Sequence, residues 1–316
     1  MTTLPELAPV PVSSLGPQPN EQGFHVGRVE RNLFWVTDGT YQSAFLATEQ
    51  GVVLFDAPPS IGGNLRRAVD EVTAAEGLTN HITHLVYSHH HADHAGAAGL
   101  FGPDVLKVGH VETARLLRRA SDPKRPPPTV VFEDTYTLLV GGERIELTWH
   151  GPNHSPDNIF IRCPDHDALM VIDIVNAGWI PVYQLNLSED VPGYFDAVAR
   201  VGDLPWTHLI GGHLGRLATR DDIALHRRYL ADVETACREA LASVNPLPHF
   251  AHHGPNAWAA VRDWMDELVA RVTAPIVAKY TGALAAADVE EMTASTAFTI
   301  IQSLRLDEGV GSRIRS

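Results

Sequence analysis

Short apolar runs that are separated by turn residues dominate the first part of the chain. The runs at 33–37, 43–47 and 52–56 are joined by segments that contain Asp-Gly and Gln-Gly pairs, and they predict successive strands. Apolar positions with helical spacing then predict a helix over 65–75, and a buried strand is predicted over 81–88. This order of elements indicates a mixed α/β fold.

A second set of strands is predicted after the proline-rich loop at 121–129, which separates two similar halves. The predicted strands of this half are 135–140, 144–150, 158–163, 168–173 and 207–212. From Thr219 onward the apolar residues recur every three or four positions, which predicts helices. We therefore expect three parts: an extended arm over 1–23, a mixed α/β domain over 24–220 and a helical extension over 221–316.

The composition is that of a globular protein with an acidic surface. The chain has 316 residues, of which 44% are hydrophobic, and this is enough to bury a full core. Its 24 Lys and Arg residues are outnumbered by 38 Asp and Glu residues. The resulting net charge of −14 argues against an extended nucleic-acid surface, which must be basic.

The sequence also predicts a protein that neither crosses a membrane nor is exported. Its apolar stretches fall short of the roughly 18 residues that a membrane-spanning helix needs. Residues 1–20 hold five prolines and an acidic Glu6, whereas a secretory signal needs a basic start and an uninterrupted apolar run. We therefore expect a cytoplasmic protein with no membrane partner and no nucleic-acid partner. The two cysteines, Cys163 and Cys237, supply neither a disulfide framework nor a zinc knuckle.

The 17 histidines are unevenly distributed, and a cluster of them directly follows the predicted strand 81–88. The pattern H-x-H-x-D-H is formed there by His89, His91, Asp93 and His94. Imidazole nitrogens and carboxylate oxygens are ligands of zinc and similar ions, and a strand-to-helix turn can direct several of them into one cleft. The cluster therefore predicts a metal site. The alternation of side chains turns His90 away from its neighbours, so we do not count it as a ligand.

The motif and its position resemble the metallo-β-lactamase-fold superfamily, whose members bind metals along one sheet edge. Three further segments match the family in the same order, with the sequences GPNHSPD at 151–157, ALMVID at 168–173 and LIGGH at 209–213. The resemblance covers about residues 24–220 and makes this the catalytic domain. It implies an α/β fold, an αββα sandwich, which the C-terminal helical extension follows.

The resemblance, carried over residue by residue, implies two metal sites and one bridging carboxylate. The first site would be formed by His89, His91 and His154, and the second by Asp93, His94 and His213, with Asp173 between them. The implied cofactors are two divalent ions, with zinc favoured over iron and manganese, that share a water. Zinc can lower the pKa of a bound water to about 7. Asp93 would orient the resulting hydroxide and relay its proton.

The roles of several other residues follow from their positions near these motifs. Asp56, at the end of the strand VVLFD, resembles the family aspartate that lies beneath the metals and orients a ligand histidine. Tyr183 and Tyr194 follow Asp173, where the family has loops near the metals, and we name them as candidate catalytic residues that could stabilise an oxyanion. The early hairpin, with Tyr41, could also form a wall of the substrate pocket.

The resemblance implies a metal-dependent hydrolase, and details of the sequence favour an ester or lactone of a small molecule as substrate. A β-lactamase is disfavoured because the metal positions hold no cysteine and because Asp173 matches a bridging carboxylate. A thioester hydrolase remains open, although no basic cluster for a glutathione carboxylate is evident. Two other classes also remain open: a persulfide dioxygenase with a single iron, and a metal-binding scaffold without turnover.

The sequence leaves the helical extension with more than one role. Its apolar spacing fits ordinary packing on the core, a cap over the cleft or a homodimer interface. We retain all three.

Overall fold

A computed structural model describes residues 9–286 and 288–311 of the chain. Residues 1–8 of the predicted arm lie outside the described residues. In the remainder of the arm, Val12–Ser14 forms a turn of 3-10 helix, and the other residues are irregular. Ser14 is buried against the loop that follows Asp173, where its hydroxyl donates to the carbonyl of Gly178. The described part of the arm is therefore packed on the body of the protein.

The first sheet has seven strands, which lie side by side in the order in which they occur along the chain. Strands β1 to β4 are antiparallel, and β4 to β7 are parallel. The strands are β1 (His25–Glu30), β2 (Leu33–Thr37), β3 (Gln42–Thr48), β4 (Gly51–Phe55), β5 (Ile82–Val86), β6 (Leu106–His110) and β7 (Val130–Phe132).

The second sheet has five strands in the order β12-β11-β10-β9-β8, with β11 and β12 parallel and the other pairs antiparallel. The strands are β8 (Thr135–Val140), β9 (Glu143–Trp149), β10 (Ile159–Cys163), β11 (Ala168–Met170) and β12 (His208–Ile210). Strand β11 ends at Met170, so Asp173 lies in the loop after the strand rather than within it.

Helices cover the outer faces of both sheets, and the longest of them lie in the C-terminal part of the chain. They are α1 (Asn64–Glu76), α2 (Ala92–Ala95), α3 (Val111–Ala120), α4 (Tyr183–Leu187), α5 (Val191–Asp203), α6 (Arg220–Ser243), α7 (Leu247–His253), α8 (Ala257–Tyr280) and α9 (Val289–Leu306). Side-chain caps begin several of them, such as the reciprocal Thr219–Asp222 capping box of α6 and Asp288 of α9. Each such cap stabilises its helix by about 1 kcal/mol.

Alternate residues of the first sheet pack into two different hydrophobic cores, one on each face of the sheet. In β2, Leu33 and Trp35 pack between the sheets, whereas Phe34 and Val36 pack against the helices α1 and α3. All five residues of the strand are buried because both of its faces are covered. The layers are thus helix, sheet, sheet and helix, which confirms the predicted αββα sandwich.

The second sheet and the C-terminal helices share a third core. Leu169 and Leu209 of the sheet belong to the same buried cluster as Val233, Leu268 and Ile301 of α6, α8 and α9. The helical extension is therefore packed on the second sheet, and the predicted boundary at 220 does not separate the hydrophobic cores. Among the described residues, no helix is both long enough and apolar enough to span a membrane.

Candidate metal centre

The predicted metal ligands come from four loops that lie at one edge of the two sheets. The loop after β5 carries His89 and His91 and leads into the short helix α2, which carries Asp93 and His94. His154 lies between β9 and β10, and the other two ligands directly follow β11 and β12. Because the ends of neighbouring strands converge at one edge, ligands that are far apart in sequence meet there.

The first group consists of His89, His91, His154 and Asp173, whose ligand atoms all lie within 4.8 Å of one another. His154 Nε2 is 3.0 Å from His91 Nδ1 and 3.1 Å from Asp173 Oδ2. His89 Nε2 is 3.4 Å from the same carboxylate oxygen. His89, His154 and Asp173 are buried, and His91 is half-buried.

The second group consists of Asp93, His94 and His213, and its ligand atoms also lie within 4.8 Å of one another. His94 Nε2 is 3.1 Å from His213 Nε2 and 3.3 Å from Asp173 Oδ2, while Asp173 Oδ1 is 2.8 Å from His213 Nε2. The carboxylate of Asp173 therefore contacts both groups: Oδ2 lies near His89, His154 and His94, and Oδ1 lies near His213. The seven predicted ligands are brought together in the predicted grouping.

The arrangement fits bound divalent ions better than it fits a hydrogen-bond network. His89 Nε2 and Asp173 Oδ1 are buried and have no hydrogen-bond partner with acceptable geometry. Buried polar atoms of this kind are costly unless another group satisfies them. Ligand atoms about 2.1 Å from a shared tetrahedral ion lie roughly 3.4 Å apart, which is close to the separations observed. The donor set of imidazoles and carboxylates suits zinc and similar ions.

Burial and neighbouring charges shift the pKa values of the ligand residues in opposite directions. Burial alone would raise the pKa of Asp173, but the imidazoles of His94 and His154 hold it well below its usual value. Burial likewise favours neutral His94, yet Asp173 and Asp93 raise the pKa of His94 to about 9. Burial and the charge of His154 lower the pKa of His91 to about 4. The carboxylates therefore favour the protonated form of His94, whereas a metal ligand must be neutral imidazole.

Asp56 supports the backbone beside the first ligand. Its Oδ1 accepts a hydrogen bond of 2.7 Å from the backbone N–H of Ser88, and the hydroxyl of Ser88 is 2.9 Å from His89 Nδ1. Burial raises the pKa of Asp56 to about 6. The carboxylate thus acts on the ligand loop through Ser88, whereas the family resemblance implied a hydrogen bond to a ligand imidazole.

His90 and Asp157 form a support that the sequence analysis missed. The ring of His90 lies 2.8 Å from Asp157 Oδ1, and the hydroxyls of Thr113 and Ser155 also donate to this buried carboxylate. Asp157 therefore ties the loop after β5 to α3 and to the loop of His154. The signal that could have identified it is an aspartate three residues after a ligand histidine.

Gln42, a second missed residue, holds the loop that carries His213. Its side chain is fully buried, and Nε2 lies 3.1 Å from the carbonyl of His213, 2.6 Å from that of Leu214 and 2.8 Å from that of Arg216. The signal in the sequence is one amide side chain at the start of a strand with an apolar centre.

The tyrosine at the site is Tyr41 rather than the two tyrosines named from sequence. Tyr194 is fully buried in α5, and its hydroxyl donates to the carbonyl of Ile174. Tyr183 is exposed, and its hydroxyl donates to Glu291 of α9. The structure does not bring either hydroxyl to the metal ligands.

Tyr41 lies against the second group of ligands. Its ring centroid is 4.7 Å from that of His213 and 5.6 Å from that of His94. Burial, followed by the charges of Asp93 and Asp173, raises the pKa of Tyr41 above its usual value.

A cavity of about 410 Å³ opens above the ligands, and its walls are largely apolar. This volume is within the usual range for small-molecule sites. Its lining includes five of the seven predicted ligands, together with Tyr41, Asn176 and Asn186. The apolar wall consists of Trp179, Ile180, Val182, Leu187, Leu214, Ala286 and Met292. Among the described lining residues there is no lysine and no arginine.

The helical extension forms part of this cavity. Met292 belongs to α9, and Ala286 precedes it. The segment before α9 also pairs with the loop after Asp173, since the backbone of Ala285 accepts from Ile180 and donates to Gly178. Of the roles left open by the sequence, capping the cleft and packing on the core both describe this part of the chain.

Comparison with known proteins places the chain in a family. The sequence model of the "Metallo-beta-lactamase superfamily" matches residues 37–225. The chain belongs to this superfamily. The matched region includes all seven predicted ligands and extends from the end of β2 into α6.

The individual proteins that match this chain have low sequence identity to it. The chain is 26% identical over 228 residues to the "2,4-dinitroanisole O-demethylase subunit alpha" of Nocardioides sp. (strain JS1661), which covers 71% of this chain and 67% of the relative. A metallo-beta-lactamase from Pontibacter korlensis superposes with a TM-score of 0.55 at 18% identity, covering 65% of this chain and 97% of that one.

A second solved structure, metallo-beta-lactamase IND-7, gives a TM-score of 0.52 at 20% identity and covers 61% of this chain and 92% of that one. At these identities, the structural similarities support the shared fold and leave the substrate open. Both structural neighbours are matched almost completely, whereas over a third of this chain is outside the match.

Proposed function

We propose that the protein is a metal-dependent hydrolase that cleaves an ester or lactone bond of a small, uncharged molecule. The observation that carries this proposal is Asp173, whose carboxylate lies 3.1 Å from His154 of the first group and 2.8 Å from His213 of the second, at the floor of an apolar cavity. This arrangement suits two ions held side by side. Superfamily membership and the donor set support the same interpretation.

The residues of the chain would divide the work of hydrolysis. The two groups would hold two divalent ions, for which we favour zinc over iron or manganese, with Asp173 contacting both. Bound ions of this kind supply a hydroxide at neutral pH and polarise a carbonyl oxygen. Asp93, which lines the cavity and is partly exposed, would orient the attacking water and hold the proton that it loses.

The cavity wall supports a neutral substrate. Away from the ligand residues, the described lining offers no lysine or arginine that could pair with an additional anionic group of a substrate. This argues against a glutathione thioester and against polyanions. The apolar side chains Trp179 and Met292 instead favour contact with an alkyl or aromatic group.

Cleavage of an aryl ether is the second candidate function. The observation in its favour is the 26% identity with a protein named as a subunit of 2,4-dinitroanisole O-demethylase. An aromatic ring in the cavity could pack on Trp179. Both candidates use the same ligands and the same water, and they differ in the carbon that is attacked.

The first experiment combines metal analysis with a substrate panel. Elemental analysis of protein purified without added metal is expected to give about two equivalents per chain, and turnover is expected on a neutral lactone or ester. The panel also contains a thioester, a β-lactam and 2,4-dinitroanisole. Turnover on the ether alone would select the second candidate. About one iron per chain and no hydrolysis would contradict both and favour oxygen chemistry.

The bridging role of Asp173 is tested in the same assay. Asp173→Ala should bind fewer than two equivalents of metal with the fold retained, because the variant lacks the carboxylate that contacts both groups. Asp266→Ala, on the exposed face of α8, is the matched control and should bind as the wild type does. Full metal content in Asp173→Ala would refute the bridging role.

A further inference from the structure

Tyr41 carries a hydroxyl that the hydrolytic machinery described above does not use. Among the described residues that line the cavity there is no serine or threonine, so this phenol is the one side-chain hydroxyl at the substrate. The other neutral donors there each give one hydrogen bond within the wall: Asn176 to Asn186 Oδ1, Asn186 to the carbonyl of Asp173, and Trp179 to the carbonyl of Ser14. Tyr41 is therefore the one hydroxyl that the described lining offers to a substrate.

The backbone fixes the position of this tyrosine from two directions. Asp38 Oδ1 accepts 2.8 Å hydrogen bonds from the N–H groups of Thr40 and Tyr41, which define the turn before β3. Tyr41 also forms a β-bridge with His213, and the flanking N–H of Leu214 donates to the carbonyl of Thr40. A donor held in this way loses little entropy when it binds a substrate.

The phenol lies at one end of the row of ligands. Its ring contacts those of His213 and His94, so it lies beside the second group. His91 and His154 lie at the opposite end, beyond Asp173. An ester placed over Asp173 presents two oxygens to the two ends, namely the carbonyl oxygen and the oxygen of the leaving group.

We propose that Tyr41 is a catalytic residue that donates a hydrogen bond to the leaving-group oxygen of an ester or lactone. This inference rests on the proposed hydrolase function. The bond from the water oxygen to the carbonyl carbon forms, and the bond from that carbon to the leaving oxygen breaks with its electron pair on the departing oxygen. The proton lost by the water neutralises that oxygen, and Tyr41 retains its own proton.

The chemistry of a phenol suits this role. A tyrosine is protonated at neutral pH and offers one O–H donor. Rotation about the C–O bond can direct this hydrogen toward an oxygen in the cavity. The hydrogen bond strengthens as negative charge develops on the departing oxygen, so it favours the transition state over the bound substrate.

A series of esters of one acid with different leaving groups tests the proposal. An ethyl ester needs stabilisation of its departing oxygen, whereas 4-nitrophenolate is stable without it. Tyr41→Phe is expected to lower kcat/KM about 100-fold for the ethyl ester and less than about 3-fold for the 4-nitrophenyl ester. Tyr136→Phe, in β8 of the second sheet, is the matched control and should match the wild type for both esters.

Metal content and thermal stability provide readouts that are independent of turnover. Tyr41→Phe should keep the wild-type metal content and Tm, because the phenol is not a ligand. A variant with less metal, or one that loses the same factor on both esters, would show that Tyr41 positions a ligand or binds the carbonyl oxygen, and it would overturn the proposal. A wild type that hydrolyses neither ester would instead refute the hydrolase function, and the role of Tyr41 would fail with it.

Discussion

Gln42 shows how one side chain can set the geometry of a distant metal ligand. The residue begins β3, and the carbonyls that it contacts belong to the loop of His213, more than 170 positions later. A buried amide that satisfies several loop carbonyls restricts the loop more than packing alone does. Residues that orient ligands in this way commonly change metal affinity by about 10- to 100-fold when they are replaced.

Replacement of Gln42 is therefore expected to weaken the second metal site. Gln42→Ala should lower the affinity for the second ion by about 10-fold or more, because the carbonyls of the His213 loop lose their shared donor. Metal titration followed by elemental analysis measures the loss, and circular dichroism checks the fold. Gln22→Ala, in an exposed turn, is the control. Unchanged binding of both ions by Gln42→Ala would show that the loop keeps its shape unaided.

The ligands could be predicted from sequence because their signal is local, whereas their supports could not. His89, His91 and His94 stand in one short motif, and Asp173 ends an apolar run. The contact between Gln42 and the His213 loop depends on how two strands meet, and no spacing along the chain encodes it. Tyr41 was visible as a pocket candidate, but only the fold distinguishes it from Tyr194, whose hydroxyl is used by a backbone carbonyl.

At the scale of elements, the hydrophobic pattern predicted most strands and the long helices, but it did not predict the irregular segments. The predicted helix over 65–75 lies within α1, and the strand predicted over 135–140 coincides with β8. Strand β1 was missed because its burial is mostly partial, so it lacks a clear apolar run. Helix α4 was missed for another reason: its backbone is left-handed, which apolar spacing does not predict.

The left-handed conformation of α4 carries a local energetic cost. Gln184, Leu185, Asn186 and Leu187 have φ angles of 54°, 56°, 58° and 60°. This conformation costs about 1–2 kcal/mol for each residue with a Cβ. Asn186 offsets part of the cost, because its amide donates to the carbonyl of Asp173 and accepts from the N–H of Val182. The strained turn is thus tied to the residue that contacts both ligand groups.

A glycine at Gln184 should relieve this strain. Gln184 is exposed, and Gln184→Gly is expected to raise the free energy of unfolding by up to about 1 kcal/mol, since glycine adopts positive φ without a steric cost. Gln302→Gly, within the regular helix α9, is the matched control and should lower it by about 1 kcal/mol. Urea denaturation measures both. An equal loss of stability in the two variants would contradict a strained turn at α4.

At the scale of the whole molecule, the helical extension and the metal centre share one packed structure. The predicted division at 220 remains a prediction about domains, but α9 lines the cavity and belongs to the core that contains Leu209 of β12. The sequence could not reveal this, because apolar spacing shows that a helix buries one face without showing what covers it. The predicted α/β domain and the helical extension meet at the interface between α5 and α6.

His226 of α6 lies at this interface, and its burial makes the free energy of unfolding depend on pH. Its Nε2 lies 3.3 Å from the hydroxyl of Tyr194 in α5, and burial lowers its pKa to about 4. In the unfolded chain the imidazole has its ordinary pKa near 6.5. Between these two values the unfolded chain binds a proton that the folded chain does not, so stability falls as the pH falls from about 6.5 to about 4. The loss reaches at most about 3 kcal/mol.

Substitution of His226 should remove this part of the pH dependence. In chelator-treated protein, which excludes the acid release of metal, His226→Asn is expected to unfold with a shallower pH dependence than the wild type between about pH 6.5 and 4. Urea denaturation at several pH values measures the difference, which should approach one proton at its largest. His252→Asn, exposed on α7, should follow the wild type. An equal pH dependence of the unfolding free energy in the wild type and His226→Asn would contradict this prediction. It would show that water reaches the interface and that the ring titrates freely in the folded protein.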